Sequence, residues 1–318
     1  MKKYPLIIIG VIAFIMLGFI LIMVAFDFWP FSTGQQSPPV QDFFGARAYQ
    51  DVLTQDRWGP RLPGSAAHAQ AVAWIQAGLA ESGWEVEIQE GAYQGQKVQN
   101  IVAKIGEGQP LLLLGAHYDT RMFADADPDP ANHNLPVPGA NDGASGVATL
   151  MELGRVLPAR LAHLDGRPGQ VWLVFFDAED NGRIPGWDWI MGSRAFVETL
   201  EAEPAATVII DMIGDADLNI YLERNSNVAL REEIWGIAAE LGYGDQFINE
   251  VKYSITDDHT PFLEAGLPAV DIIDFDYPYW HTVQDTPDKV SAASLQVVGD
   301  TLVAWIELRL DLRPQAAP

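Results

Sequence analysis

The 318-residue chain is 48% hydrophobic and has no cysteine, which excludes disulfides, thiolate nucleophiles and zinc–cysteine sites. Its 43 Asp and Glu against 19 Lys and Arg give a net charge of -24. Such a chain repels nucleic-acid phosphates, so no nucleic acid is expected among its partners.

Residues 1–4 carry Lys2 and Lys3 and read as a cytoplasmic N-terminus. The uncharged run at 5–26 reaches roughly 30 Å as a helix, enough to cross a bilayer. We read it as a transmembrane signal-anchor that leaves the rest of the chain outside the cytoplasm. A cleaved signal peptide and a secreted product are the alternative. Residues 27–42, rich in Pro, Ser, Gly and Gln, read as a linker. Residues 43–318 are left as one catalytic domain.

Within that domain a short amphipathic helix is expected over 43–55. RLPGS (61–65) then breaks the chain, and Ser65 is a helix cap for a segment running to Glu81. WEVEIQ (84–89) alternates as a half-buried strand should, and 100–105 can pair with it. LLLLGAHYD (111–119) is a buried strand ending in His and Asp, and 144–157 is an amphipathic helix. VWLVFFDAEDNG (171–182) is a second buried strand running into three acids. Further strands are expected at 207–214, 218–223 and 269–275, and helices at 228–241 and 291–310, the last capped by Ser291. Apolar strands alternating with helices predict an α/β three-layer sandwich around a mostly parallel twisted central sheet. Function is then expected at the strand C-termini.

The residues just past those ends are His117 and Asp119, Asp142, Glu179 and Asp180, Asp211, Asp258 and His259, and His281. Singly, each is readable as a cap or a solvated polar group. Together, nearly every buried strand delivers an acid or an imidazole to the same edge. Imidazole and carboxylate donors without thiolate suit zinc or a similar divalent ion. Adjacent Glu179 and Asp180 point apart, so one can bind metal while the other moves a proton. The acidic stretch 125–134 does not have EF-hand spacing and reads as a solvated loop near the site. His133 and His163 read as surface residues, His259 as a residue capping or orienting the next helix, and His68 as a helix residue far from the strand ends.

HYDT, NDGASG, FDAED, GSRAF, DMIG, DDHTPF and WHTVQDT, in this order, resemble the zinc aminopeptidase and glutaminyl cyclase superfamily over about residues 61–310. The stretches at 117–146, 241–244, 255–259 and 271–282 are most similar to the animal-type glutaminyl cyclases and their bacterial relatives. The resemblance implies a zinc-aminopeptidase-like fold. It implies zinc ligands at Asp142, Asp180 and His281, a general acid/base at Glu179, and an acidic pair beside it at Asp211 and Asp258. It implies a pocket wall at Trp280 and a second pocket aromatic at Trp187. Asp180 departs from many relatives, where Glu is frequent, but a shorter carboxylate still binds zinc. The implied reaction converts N-terminal glutamine of peptides or proteins to pyroglutamate with one zinc. The alternative is an aminopeptidase with a second zinc on His117 and Asp211. A noncatalytic binding protein on the same fold is opposed by the presence of every ligand and of Glu179.

Overall fold

The computed structural model describes residues 42–164 and 166–312. The expected membrane segment (5–26) and nearly all of the expected linker lie outside the described residues. Among the described residues no helix is long and apolar enough to cross a membrane.

Two helices open the described chain, α1 (Gly45–Asp56) and α2 (Ala66–Glu81). Ser65 caps α2 by accepting from the His68 N–H at 3.1 Å, as its position predicts. The hairpin β1 (Glu85–Tyr93) and β2 (Gln96–Glu107) comes next, and then β3 (Leu111–His117). After it come α3 (Ala144–Leu161), β4 (Gly169–Phe176), α4 (Met191–Glu198), β5 (Ala206–Asp211) and β6 (Ile220–Leu222). The chain continues through α5 (Val228–Glu240), β7 (Phe247–Val251), α6 (Thr260–Glu264), β8 (Ala269–Ile273) and α7 (Ala292–Arg309).

Six strands form one sheet in the order β1-β2-β4-β3-β5-β8. The pairs β4–β3, β3–β5 and β5–β8 are parallel, whereas β1–β2 and β2–β4 are antiparallel. Three of the five pairings are parallel, so the sheet is mostly parallel as expected, and the β1–β2 hairpin makes it mixed. A hairpin reached by a tight turn adds its strands antiparallel, and an apolar run alone does not show that direction. The expected strand at 218–223 is present but lies outside that sheet. It contributes β6, which leaves the main sheet and pairs with β7, a strand the sequence pattern does not indicate.

Period-two alternation splits the strand side chains between two cores. Ile101, Ala103, Leu112, Leu114, Leu173, Phe175, Val208 and Ile210 face the layer of α1, α2, α3, α5 and α7. Val102, Leu113, Val174, Phe176 and Ile209 face Phe196 of α4 and Phe262 of α6. This is the expected three-layer arrangement. Helix α3 lies close on the sheet because Gly146 has no side chain. A Cβ there would stand 2.8 Å from both the Ile210 carbonyl and Ala116 Cβ. The close approach fixes the loop just before α3 over the C-terminal ends of β3 and β5, where the acids gather.

Candidate active site

The parallel strands β3, β4 and β5 each run into a donor. His117 closes β3, Asp211 closes β5, and β4 passes through Asp177 and Ala178 into Glu179 and Asp180. His117 Nε2 lies 3.1 Å from Asp142 Oδ1 and 3.2 Å from Asp211 Oδ1. His281 Nε2 lies 2.7 Å from Asp180 Oδ1 and 3.8 Å from Asp142 Oδ2. Two donor sets result, Asp142/Asp180/His281 and His117/Asp142/Asp211, each with its ligand atoms within 4.8 Å of one another. Asp142 belongs to both and turns one oxygen towards each.

The donors fit a zinc-class cation. Asp142 Oδ2 and Asp180 Oδ2 are buried and have no hydrogen-bond partner, so they are free to act as ligands. Glu179 belongs to neither set. Burial pushes its carboxyl well above the usual range, and neighbouring Asp180, Asp257 and Asp258 reinforce that. Burial likewise raises Asp180 to about 6 and Asp211 to about 7. For His281 burial opposes the charged ring, but Asp180, Asp125 and Asp142 outweigh it and lift the ring to about 9.

The backbone around these groups is strained. Ala178, Ile190, Met212 and His281 have φ of 52°, 54°, 47° and 55°. Non-glycine residues seldom adopt such values, which concentrate at functional sites. Gly143, at φ 89°, sits where a Cβ would meet the Asp119 carbonyl at 2.8 Å, so the NDG turn beside Asp142 requires glycine.

A cavity of about 370 Å³ opens on this edge, lined by Asp142, Glu179, Asp180, Asp211 and His281. Its aromatic walls are Trp280 and Trp189, both stacked on the His281 ring, with centroids at 3.7 Å and 6.0 Å. Two of the expected site residues are thereby displaced. Trp187 packs beside Val98, Ala178 and Met191, and Trp189 takes the pocket position. Asp258 is wholly buried behind the cavity, and Asp257 is the acid that lines it.

Further side chains hold these groups in place. Asp119 accepts from the N–H groups of Glu179 and Asp180, at 3.0 and 3.4 Å, and so sets the acidic turn. Asp285 accepts from the N–H groups of Asn141 and Asp142 and from the Tyr277 hydroxyl. Buried Arg61 donates to the carbonyls of Tyr118, Pro138 and Gly139. Leaving such carbonyls without a donor costs about 1–3 kcal/mol each.

His68 does not lie far from the strand ends. Its Nε2 is 2.7 Å from Asp177 Oδ1, directly after β4. Helical spacing places His68 on the buried face of α2, and that face packs on this strand end. His259 makes no side-chain cap to α6 and is wholly buried. In the acidic loop, Asp127 accepts from the N–H of Asp129, the Asn132 amide and the N–H of Val283. The loop is held by its own donors, and its Ala126 N–H donates to the His281 carbonyl.

His281 Nδ1 faces Asp125 Oδ1 at 3.5 Å, and Arg121 grips Asp125 with two donors at 2.6 and 2.8 Å. Arg121 also donates to the Asp180 carbonyl and lies over Trp189. A carboxylate behind a ligating imidazole fixes its tautomer and orientation. Asp125→Asn is therefore expected to weaken zinc affinity roughly 10- to 100-fold, read by chelator competition.

The model of peptidase family M28 matches residues 100–306. A Tannerella forsythia glutaminyl cyclase structure superposes with a TM-score of 0.76 at 32% identity, covering 84% of this chain and 99% of that one. A Zn-dependent exopeptidase from Parabacteroides distasonis ATCC 8503 superposes with a TM-score of 0.77 at 31% identity, covering 84% and 99%. The glutaminyl-peptide cyclotransferase-like protein of Bos taurus is 25% identical over 287 residues, covering 79% of this chain and 73% of its own length. The chain belongs to peptidase family M28, and its resemblance to the glutaminyl cyclases holds in both sequence and structure.

Proposed function

We propose that the chain is a glutaminyl-peptide cyclotransferase, which converts the N-terminal glutamine of a peptide or protein to pyroglutamate and releases ammonia. The observation that carries this reading is the cavity itself. Two tryptophans flank the His281 ring, and the volume of about 370 Å³ has room for an N-terminal glutaminyl residue.

Asp142, Asp180 and His281 would hold one zinc, which when bound polarises the γ-amide carbonyl as a Lewis acid. The substrate's α-amine is tethered to the carbon it attacks, so ring closure draws on proximity rather than on an activated water. A C–N bond forms to the α-nitrogen as the bond to the amide nitrogen breaks. Glu179 takes the proton from the α-amine and returns it to the departing nitrogen, which leaves as ammonia. The burial that raises Glu179 suits it to both halves of that transfer. Asp211 and Asp257 stand beside it as the acidic pair. Trp189 and Trp280 shape the pocket and exclude water.

One observation favours the aminopeptidase reading. The set of His117, Asp142 and Asp211 is fully formed and has the donors for a second zinc. Incubation with a glutaminyl peptide and, separately, a leucyl peptide, with products read by mass, separates the two. Ammonia loss from the first with the second intact supports the cyclase. Free leucine from the second supports the peptidase.

Trp280→Ala is expected to raise KM or lower kcat for glutaminyl substrates by roughly 3- to 10-fold, the worth of one aromatic stack, with zinc retained. Unchanged kinetics would reduce Trp280 to a packing residue. We further propose anchorage by residues 5–26 with the catalytic domain outside the cytoplasm. The substrates are then exported proteins or peptides.

A further inference from the structure

One group of buried donors lies outside both sets around Asp142. Asp257, His259 and Asp271 bring one ligand atom each to within 4.8 Å of one another. Asp257 and His259 precede α6, and Asp271 stands in β8. His259 and Asp271 are wholly buried, and Asp257 nearly so.

The two nitrogens of His259 face different carboxylates. Nε2 faces Glu223 Oε2 at 3.5 Å, and Nδ1 faces Asp271 Oδ2 at 3.6 Å. Glu223 is a built anion. It accepts from the Ser226 N–H and hydroxyl at 2.7 and 2.9 Å and from the Ile255 N–H at 3.0 Å. Burial opposes its charge, but His259 and the backbone donors outweigh it and bring the carboxyl down to about 2. With Nε2 turned to Glu223, Nδ1 is the nitrogen presented to Asp271, and neither contact makes a hydrogen bond.

The rest of the cluster repeats that pattern. Both oxygens of Asp271, Oδ2 of Asp257 and both nitrogens of His259 are buried without a hydrogen-bond partner. Native interiors rarely leave so many polar atoms unpaired in one place. Nor does a lysine or arginine form an ion pair with Asp257 or Asp271 among the described residues. One imidazole and two carboxylates are also the donors of the Asp142/Asp180/His281 set.

We propose that Asp257, His259 Nδ1 and Asp271 form a further divalent-cation site of the zinc class, separate from the sets around Asp142, with Glu223 orienting the imidazole. A cation there ties the segment before α6 to β8 and holds Asp257 in place on the cavity wall. The inference shares only Asp257 with the cyclase reading, which leaves His259 and Asp271 unused.

The test counts zinc per chain on the full-length protein, loaded with zinc and exchanged into metal-free buffer. Asp142→Ala disables both other sets, so this variant is expected to keep one zinc. Adding Asp271→Ala is expected to remove it, with circular dichroism confirming the fold of each variant. No zinc in Asp142→Ala, or an unchanged count in the double variant, overturns the proposal. Anomalous diffraction at the zinc edge on wild-type crystals decides the matter without any variant. A peak between His259 Nδ1 and Asp271 supports the site. A water there, or a direct imidazolium–carboxylate bond, overturns it. These readouts are zinc content and zinc position rather than turnover, so the cyclase reading fails or stands by its own product assay.

Discussion

Glu179→Gln is expected to lower turnover by roughly 100- to 10,000-fold, the usual worth of a positioned general acid/base, while zinc stays bound. The separation arises from geometry. Glu179 stands outside both donor sets although it adjoins Asp180, because the strained Ala178 and the N–H bonds to Asp119 turn the two side chains to different tasks. A glutamine keeps the shape and the neutral hydrogen bonding but cannot carry a proton. Zinc content and turnover measured on one preparation check this. Loss of zinc together with activity would make Glu179 a ligand, and full activity would remove it from the mechanism.

His281→Ala is expected to lose activity together with the zinc of its own donor set. The side chain supplies the only imidazole of its donor set and is gripped from three directions, by Asp180, by the Asp125–Arg121 pair and by the two tryptophans. Truncation removes a ligand, so affinity falls by more than the roughly 10- to 100-fold that loss of an orienting partner costs. It also leaves Asp142 and Asp180 facing each other across a buried gap with less to offset their charge, which destabilises the site further. Metal analysis after dialysis, beside the ammonia assay, reads both effects. A fully metallated His281→Ala protein would show that the imidazole is no ligand.

Some of this arrangement is written in regular repeats. Parallel strands buried on both faces need unbroken apolar runs, so β3, β4, β5 and β8 announce themselves, and their shared direction gathers their C-terminal residues at one edge. That places His117, Asp142, Glu179, Asp180, Asp211 and His281 together from sequence alone. The choice between near neighbours in irregular backbone is where the pattern fails. Trp187 and Trp189 stand two residues apart, and the left-handed Ile190 after them turns the chain into α4. Asp257 and Asp258 are consecutive, and no period says which one faces the cavity. His68 and Asp285 escape for another reason. Their partners, Asp177 and the Asn141–Asp142 peptide, lie more than a hundred residues away. The pairing of β6 with β7 escapes in the same way, since β7 is short and mostly exposed.

Five carboxylates line the cavity, Asp142, Glu179, Asp180, Asp211 and Asp257, against two basic groups in its lining, Arg183 and the His281 ring. On the cyclase reading this imbalance sorts traffic through the pocket. Substrate arrives carrying an α-ammonium, which the carboxylates not taken up by zinc attract, and it releases one proton to solvent before the amine attacks. Product leaves as a neutral lactam, on which the same field has little hold. Attraction thus vanishes at the moment the ring closes, so the reacted end is released more readily than the unreacted end is. Peptides whose N-termini are already blocked gain nothing from the field and compete poorly for the pocket.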